Sequence, residues 1–434
     1  MGLGNILAAN TVYRILNIAA TFILTILLSR LMGSAGYGLF TLIIVNVTIY
    51  NLVSGFGAEA GITYHGAAGK FNTTKLVSFA FTIVLGQLLI LFLIGIIYKS
   101  TYHQNWFGLQ NLWPVIFIFL SISLTDKYNA MFYGHHLYSL VNKIIFFGNL
   151  TCMAVFAIIY FFSNNYSFQI YLYTYAVIAL LQSVFLIVSF HLNTNQPIYP
   201  LKLSVIEWQL FFSYSLITVV TNFIQFLAYR IDYWILDYYK GEKELGVYSV
   251  SVKLVQLFWI LPILFAGVLF PGTAAQRKEF GQERIVSILR FMNTINLISG
   301  LIAFFFITWF LPFFFGEEYA DGIMPFRWLL PGIILFCNTT ILAAYFAGKN
   351  QLKVNLVGSG LCLIIILTLD VLLIPSLGVS GAAIASSIGY GVSGFYYIRK
   401  YLKESSNNLS EMFILNRKDK DQVLYLLKKI LVKK

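Results

Sequence analysis

Long, predominantly apolar runs recur along the whole chain, and they restrict its fold more than any other feature. Ile83–Ile97 and Leu361–Ile374 are two examples. A transmembrane β-barrel would alternate apolar and polar residues in segments of about 10; continuous runs instead specify helices, at about 20 residues per crossing. Composition agrees: 59% of residues are hydrophobic and 11% charged, against about 45–50% and about 25% in soluble domains. The expected fold is an all-α, polytopic membrane protein. Its 434 residues hold about 12 transmembrane helices. The N-terminus lacks a basic segment followed by a small-residue cleavage site, so the first helix is expected to be retained.

Hydropathy and loop breakers place spans near 8–31, 37–58, 76–98, 112–133, 142–162, 168–191, 210–236, 246–270, 291–313, 328–347, 354–374 and 379–398. With the N-terminus in the cytoplasm, the inner loops collect eleven basic residues, Lys127 and Lys143 among them, and the C-terminal segment ten more, against five outside. That bias puts both termini in the cytoplasm. The net charge of +12 is mainly this topology signal. Its basic residues are spread over loops and a tail with no nucleic-acid module, so nucleic acid is not an expected partner. In the tail, Val423, Leu427, Ile430 and Leu431 form a helical stripe beside Lys428, Lys429, Lys433 and Lys434. Such a stripe fits a helix lying on an anionic inner leaflet, or simply a basic end that fixes orientation.

Cys152, Cys337 and Cys362 fall in apolar runs without CxxC spacing, and the five histidines lack ligand spacing. Neither disulfides nor a metal site is expected, and no cluster of Ser, His and Asp suggests a catalytic residue. No cofactor is implied. The Gly and Ala residues of Gly381–Ala385 suit close helix packing, and Pro375 with Gly378 marks the end of span 11.

GYGLFTL (Gly36–Leu42) opens span 2 and LGVYSVS (Leu245–Ser251) opens span 8, six spans later. The recurrence points to two six-helix lobes around a central cavity, as in many transporters. The expected boundaries are an N-terminal lobe at 1–200, a C-terminal lobe at 201–404 and a basic amphipathic tail at 405–434. SRLMGSAGYGLFTL (Ser29–Leu42) resembles the first-loop motif of the polysaccharide-exporter branch of the multidrug/oligosaccharidyl-lipid/polysaccharide (MOP) superfamily. Three more stretches are similar to that branch, in the expected order: Tyr229–Leu254, Phe315–Leu335, and AGKNQLKVNLVGSG with IPSLGVSGAAIASSIGY (Ile374–Tyr390). The resemblance implies a Wzx-type flippase. Such a protein moves undecaprenyl-diphosphate-linked oligosaccharide, an O-antigen or capsule repeat unit, across the bacterial inner membrane by alternating access. Its partners would be that lipid-linked substrate, membrane lipid and other glycan-assembly membrane proteins.

Charges inside the spans sharpen the expectation. Arg230 and Asp232 stand two residues apart in FLAYRIDYWILDYYKGEKELGVYSV (Phe226–Val250), so they point to different helix faces. Each Arg, Lys or Asp at a helix centre costs about 2.5–3.5 kcal/mol. Arg14, Arg230, Asp232 and Lys253 must therefore be paired, hydrated or snorkelling. Asp232 and Lys253 fall at one depth across the helical hairpin and are candidates for a salt bridge. Arg14, Arg230 and Lys253 are the candidate phosphate ligands of such a flippase, since cations in a wet cleft can replace phosphate hydration and Arg does so bidentately. Lys127 and Lys143 are candidates for first contact on the cytoplasmic side. Asn17, Asn46, Asn222, Gln225 and Gln256 are cavity-polar candidates, either for sugar hydroxyls or for helix bridging. Glu59 and Asp232 are candidates for ion coupling or for structural ion pairs. Tyrosines at span ends, such as Tyr171, Tyr173 and Tyr175, fit an interfacial belt. Two other functions fit the class: a multidrug efflux antiporter of the same superfamily, and a membrane-embedded polysaccharide polymerase. The first favours acidic cavities, and the second usually carries a large loop or soluble domain.

Overall fold

The structure is a computed structural model that describes residues 3–67, 69–102, 112–162, 167–195, 203–274, 282–405 and 407–413. Every regular element among them is helical. In order they are α1 (Leu3–Ser54), α2 (Ala58–Ala67), α3 (Thr73–Tyr102), α4 (Leu112–Gly134), α5 (Tyr138–Phe162), α6 (Phe168–Thr194), α7 (Val205–Lys240), α8 (Glu242–Gln256), α9 (Ile260–Ala274), α10 (Gln282–Phe315), α11 (Ile323–Gly348), α12 (Leu352–Glu404) and α13 (Leu409–Phe413). Among the described residues, nine helical segments are long and apolar enough to cross a membrane. Two of them, of 43 and 53 residues, are long enough to cross twice at about 20 residues per crossing. Each bends at a glycine: Gly33 (φ 65°, ψ 176°) in α1 and Gly378 (φ 55°, ψ −132°) in α12. These glycines stand where the sequence separates spans 1 and 2, and 11 and 12. The all-α polytopic fold is as expected.

Polarity is turned inside out relative to a soluble protein. On α10, Leu297, Leu301 and Phe305 are 65%, 63% and 68% exposed, while Gln87, Ser123, Lys127, Asp232 and Asp370 are buried in helix contacts. That distribution suits a hydrocarbon solvent, in which polar groups must find partners within the protein.

Two helices end earlier than the apolar pattern suggests. The sequence carries span 2 through to residue 58, but α1 stops at Ser54, and Phe56 (φ 48°) and Gly57 (φ 69°) turn the chain before α2 begins. The carbonyl of Asn51 is met there by the Gly55 amide at 2.9 Å and by Gln87 Nε2 at 3.2 Å. The expected span 246–270 is also divided, by a 3₁₀ turn at Leu257–Trp259 between α8 and α9. Pro262 has no N–H to offer the Phe258 carbonyl one turn back, and Cys337 Sγ lies 3.5 Å from that carbonyl instead. Similarly, Lys240 Nζ donates to the Pro375 carbonyl at 2.9 Å beside the Gly378 bend.

The chain divides into two compact units, Met1–Phe226 and Leu227–Lys434, the division falling within α7. In unit 1, α1 packs on α5, α4 on α6 and α2 on α4. Its core holds Phe79, Tyr128, Phe132, Phe190 and Phe211, with the Phe79 and Phe211 rings stacked at 4.2 Å. The start of α7 is fixed by a reciprocal cap: Ser204 N donates to Glu207 Oε2 at 2.7 Å, and Glu207 N to Ser204 Oγ at 3.3 Å. Lys75 Nζ adds an ion pair to Glu207 at 2.5 Å. The Lys75 ammonium, followed by the Ser204 amide and hydroxyl, holds the pKa of the Glu207 carboxyl at about 2. In unit 2, α11 packs on both α12 and α9. Its core includes Leu289, Ile341, Tyr345, Tyr401 and Met412. Met412 belongs to α13, which is seated on α10 by Arg290 Nε donating to the Glu411 carbonyl at 2.5 Å and Asn293 Nδ2 to the Met412 carbonyl at 3.1 Å. The basic stripe from Val423 onward lies outside the described residues.

Candidate functional site

Among the described residues, each unit holds a cluster of buried polar and charged side chains that includes expected site residues. In unit 2 the cluster grows from α7, α8 and α12. Arg230 is half-buried on α7; its Nη1 donates to Tyr233 Oη at 3.0 Å and the Tyr229 carbonyl at 3.4 Å, and its Nη2 to Gln256 Oε1 at 3.5 Å. The guanidinium also lies 4.9 Å from the Tyr233 ring centroid, a cation–π distance. These partners are all neutral, and no carboxylate among the described residues forms an ion pair with Arg230. Lys253 on α8 is half-buried and is an electrostatic neighbour of Arg230. Asp232 is likewise an electrostatic neighbour of Arg230, so two cations and an acid share one region of unit 2.

Asp232 turns the other way, as residues two apart on a helix must. It is buried, and its Oδ2 accepts from Tyr248 Oη at 2.6 Å and Ser386 Oγ at 3.3 Å. The salt bridge to Lys253 suggested by equal depth does not form: Asp232 is held instead by hydroxyls of α8 and α12. Asp370, midway along α12, is fully buried, is an electrostatic neighbour of Asp232, and neither of its carboxylate oxygens accepts a hydrogen bond among the described residues. Two carboxyls and two hydroxyls are therefore neighbours in the buried interior of unit 2. Close carboxylates cannot both remain charged without a proton or a cation between them.

In unit 1 the cluster joins α1, α2, α3 and α4. Lys127, an inner-loop cation by sequence, lies inside α4 and is fully buried. Its ammonium reaches Ser123 Oγ at 2.9 Å and Asn51 Oδ1 and Glu59 Oε1 at 3.5 Å each. Asn51 Nδ2 donates to Asp126 Oδ2 at 2.9 Å, and Gln87 joins Asn51, Ser54 and Ser123. Elsewhere the expected residues stay apart. Arg14 is exposed on α1 and Lys143 on α5. Asn17 bridges helices, donating to the Asn142 carbonyl at 3.0 Å and accepting from Asn149 at 3.3 Å. Asn46 is half-buried on α1, and Asn222 and Gln225 are exposed on α7.

Comparison with known proteins places the chain. Residues 27–325 match the profile of a family described as polysaccharide biosynthesis protein. The chain belongs to that family. As a polysaccharide biosynthesis family member it is 23% identical, over 186 residues, to the probable low-salt glycan biosynthesis flippase Agl15 of Haloferax volcanii. That match takes in 42% of this chain and 39% of the relative, so the chain spans well under half the length of the curated protein it matches. Solved structures share its fold. An inward-facing multidrug resistance MATE transporter of the MOP superfamily superposes with a TM-score of 0.69 at 15% identity, covering 90% of this chain and 96% of that one. The lipid II flippase MurJ, in an inward closed conformation, gives 0.69 at 14% identity, covering 99% of each chain. At these identities the likeness is one of fold.

The half-buried Asp126 and the buried Asp370 are not among the site residues expected from the sequence. Asp370 sits within the run Leu361–Ile374, which reads as plain membrane helix, and a lone acid in such a run is itself the signal. Tyr248, Ser386 and Gln87 carry no signal of their own. Hydroxyls and amides are common in helices, and only the fold brings these to a carboxylate or an ammonium.

Proposed function

We propose that this protein is a flippase for undecaprenyl-diphosphate-linked oligosaccharide, an O-antigen or capsule repeat unit, working by alternating access in the bacterial cytoplasmic membrane with both termini inside. The observation that carries the reading is the pair of cations on α7 and α8, Arg230 hydrogen-bonded to neutral partners and Lys253 its electrostatic neighbour. A diphosphate supplies negative charge to balance them, and the guanidinium can grip it bidentately while Gln256 offers an amide to the adjoining sugar. Arg14 is the corresponding cation of the first lobe. The glycan-flippase relative supports the same substrate class. No bond is made or broken in such transport, so the protein is a carrier and not an enzyme. Other glycan-assembly membrane proteins would hand over and receive its cargo.

Energy enters, in this reading, at Asp232 with Asp370. Binding a proton or a small monovalent cation there would remove the repulsion between the two carboxyls, and release would restore it. Asp232 lies two residues from Arg230 on one helix, so a change at the acid pair is delivered directly to the phosphate ligand.

Arg230→Ala tests the reading. A charge-assisted contact contributes about 1.5–3 kcal/mol, or roughly ten- to a hundredfold in affinity. The variant should insert normally in the membrane yet lose surface glycan, with Arg230→Lys retaining part of it. Normal glycan from Arg230→Ala would remove the phosphate role. Drug resistance conferred by expression, with glycan unaffected by the variant, would favour the efflux antiporter.

A further inference from the structure

The unit 1 cluster has an arrangement that the proposed transport function leaves unused. The Lys127 side chain is 0% exposed, whereas that of its one acidic contact, Glu59, is 32% exposed. Behind the ammonium stand neutral oxygens, Ser123 Oγ at 2.9 Å, the Ser123 carbonyl at 3.4 Å and Asn51 Oδ1 at 3.5 Å, with the Asp126 carboxylate as a further electrostatic neighbour. These are locked by a second layer. Ser123 Oγ donates to Gln87 Oε1 at 2.8 Å, and Gln87 Nε2 donates to Ser54 Oγ at 2.9 Å and Asn51 Oδ1 at 3.2 Å. Asp126 holds Asn51 from the far side through a 2.9 Å bond. The cradle therefore fixes Lys127 whether or not Glu59 is present.

Glu59 is held differently. Its contact with Lys127 is 3.5 Å, well beyond the 2.7–2.9 Å of a strong charge-assisted bond. It stands in the first turn of α2, directly after the joint at Phe56 and Gly57. A carboxylate at the open side of a rigid ammonium site, making one long contact, occupies the position an incoming anion would take. A diphosphate brings more charge and more acceptor oxygens than one carboxylate oxygen can offer.

We propose that Lys127 is a second diphosphate-binding group, in unit 1, and that Glu59 is the internal anion which the diphosphate displaces. The proposal rests on the flippase reading above. On release of the substrate Glu59 returns to the ammonium, so the buried charge is never left without a partner, a state that costs several kcal/mol. The carboxylate thus limits how tightly the site holds its cargo.

The test measures binding of undecaprenyl diphosphate to the full chain in nanodiscs, with inorganic pyrophosphate and undecaprenol as comparison probes. Glu59→Gln should bind undecaprenyl diphosphate about five- to tenfold tighter than wild type, a difference of about 1 kcal/mol. Undecaprenol should not bind in a Lys127-dependent way, and pyrophosphate should compete only at higher concentration. Lys127→Met combined with Glu59→Gln removes both charges together, which buried pairs tolerate better than loss of one partner. It should bind at least tenfold more weakly than Glu59→Gln, and more weakly than wild type if the single variant fails to fold. A folded Glu59→Gln with wild-type affinity, or a double variant that binds as well as wild type, would overturn the proposal. Lys127-dependent binding of pyrophosphate alone would overturn its assignment to the lipid carrier. Should wild type bind no diphosphate, the flippase reading falls as well; should Arg230→Ala lose binding while the Glu59 and Lys127 variants change nothing, only the present proposal falls.

Discussion

Arg230 and Asp232 differ in what their immediate neighbours provide. Hydroxyls of Tyr248 and Ser386 donate to Oδ2 of the acid, while neutral acceptors bind the base, which has Asp232 and Lys253 as electrostatic neighbours. Asp232 and Lys253 form no direct ion pair, though each is an electrostatic neighbour of Arg230. The Asp232→Ala, Lys253→Ala double variant should therefore not recover export lost by either single change. Recovery would restore the salt bridge that depth alone suggests. The residue scale is also where the sequence is least legible. Depth along a helix can be counted from a span's end, and that count is enough to single out Arg230 and Lys253. The direction of a side chain within a bundle cannot be counted that way, because it depends on which helices stand beside it. Lys127 illustrates the difficulty: a lysine near a span end reads as a loop cation, and only the cradle of Asn51, Ser123 and Gln87 marks it as a buried group.

Among the elements, the spans themselves are legible because continuous apolar runs admit one structure in hydrocarbon. Two of their interruptions are legible as well: Gly33 and Gly378 take non-helical conformations that separate two helices where the sequence ends one span and begins the next. The breaks at 55–57 and 257–259 arise from positive φ angles and from a proline one turn downstream, neither of which alters hydropathy. Gly33 combines φ 65° with ψ 176°, a conformation essentially reserved for glycine. Gly33→Ala should therefore cost about 1–3 kcal/mol, visible as a lowered unfolding temperature in detergent. Gly360→Ala serves as the control: it lies inside α12, where an added Cβ meets nothing within 4 Å, and helix propensity makes it neutral or stabilising. Equal behaviour of the two variants would remove the backbone explanation for the bend in α1. Small residues matter differently between α11 and α12. There a Cβ on Gly332 would come within 2.4 Å of the Ser387 backbone, and Ala382, Ala383 and Ala385 are fully buried.

For the whole molecule, membrane class, helical architecture and family resemblance are all legible in the sequence, because each depends on composition or on motifs spread along most of the chain. The orientation proposed from the basic residues of the loops is open to direct measurement. Reporters fused after Phe413 and inserted at the Gly378 bend of α12 should report opposite sides: cytoplasmic fluorescence from the first, and periplasmic phosphatase activity from the second. The same side for both would contradict the assigned topology. The seat of α13 has a practical side too. Because Met412 fills the interior of unit 2 and Arg290 and Asn293 are bonded to the backbone around it, a shortened version ending at Glu404 would open a hole in the fold. Anyone trimming this protein for crystals or fusions should cut no earlier than Phe413.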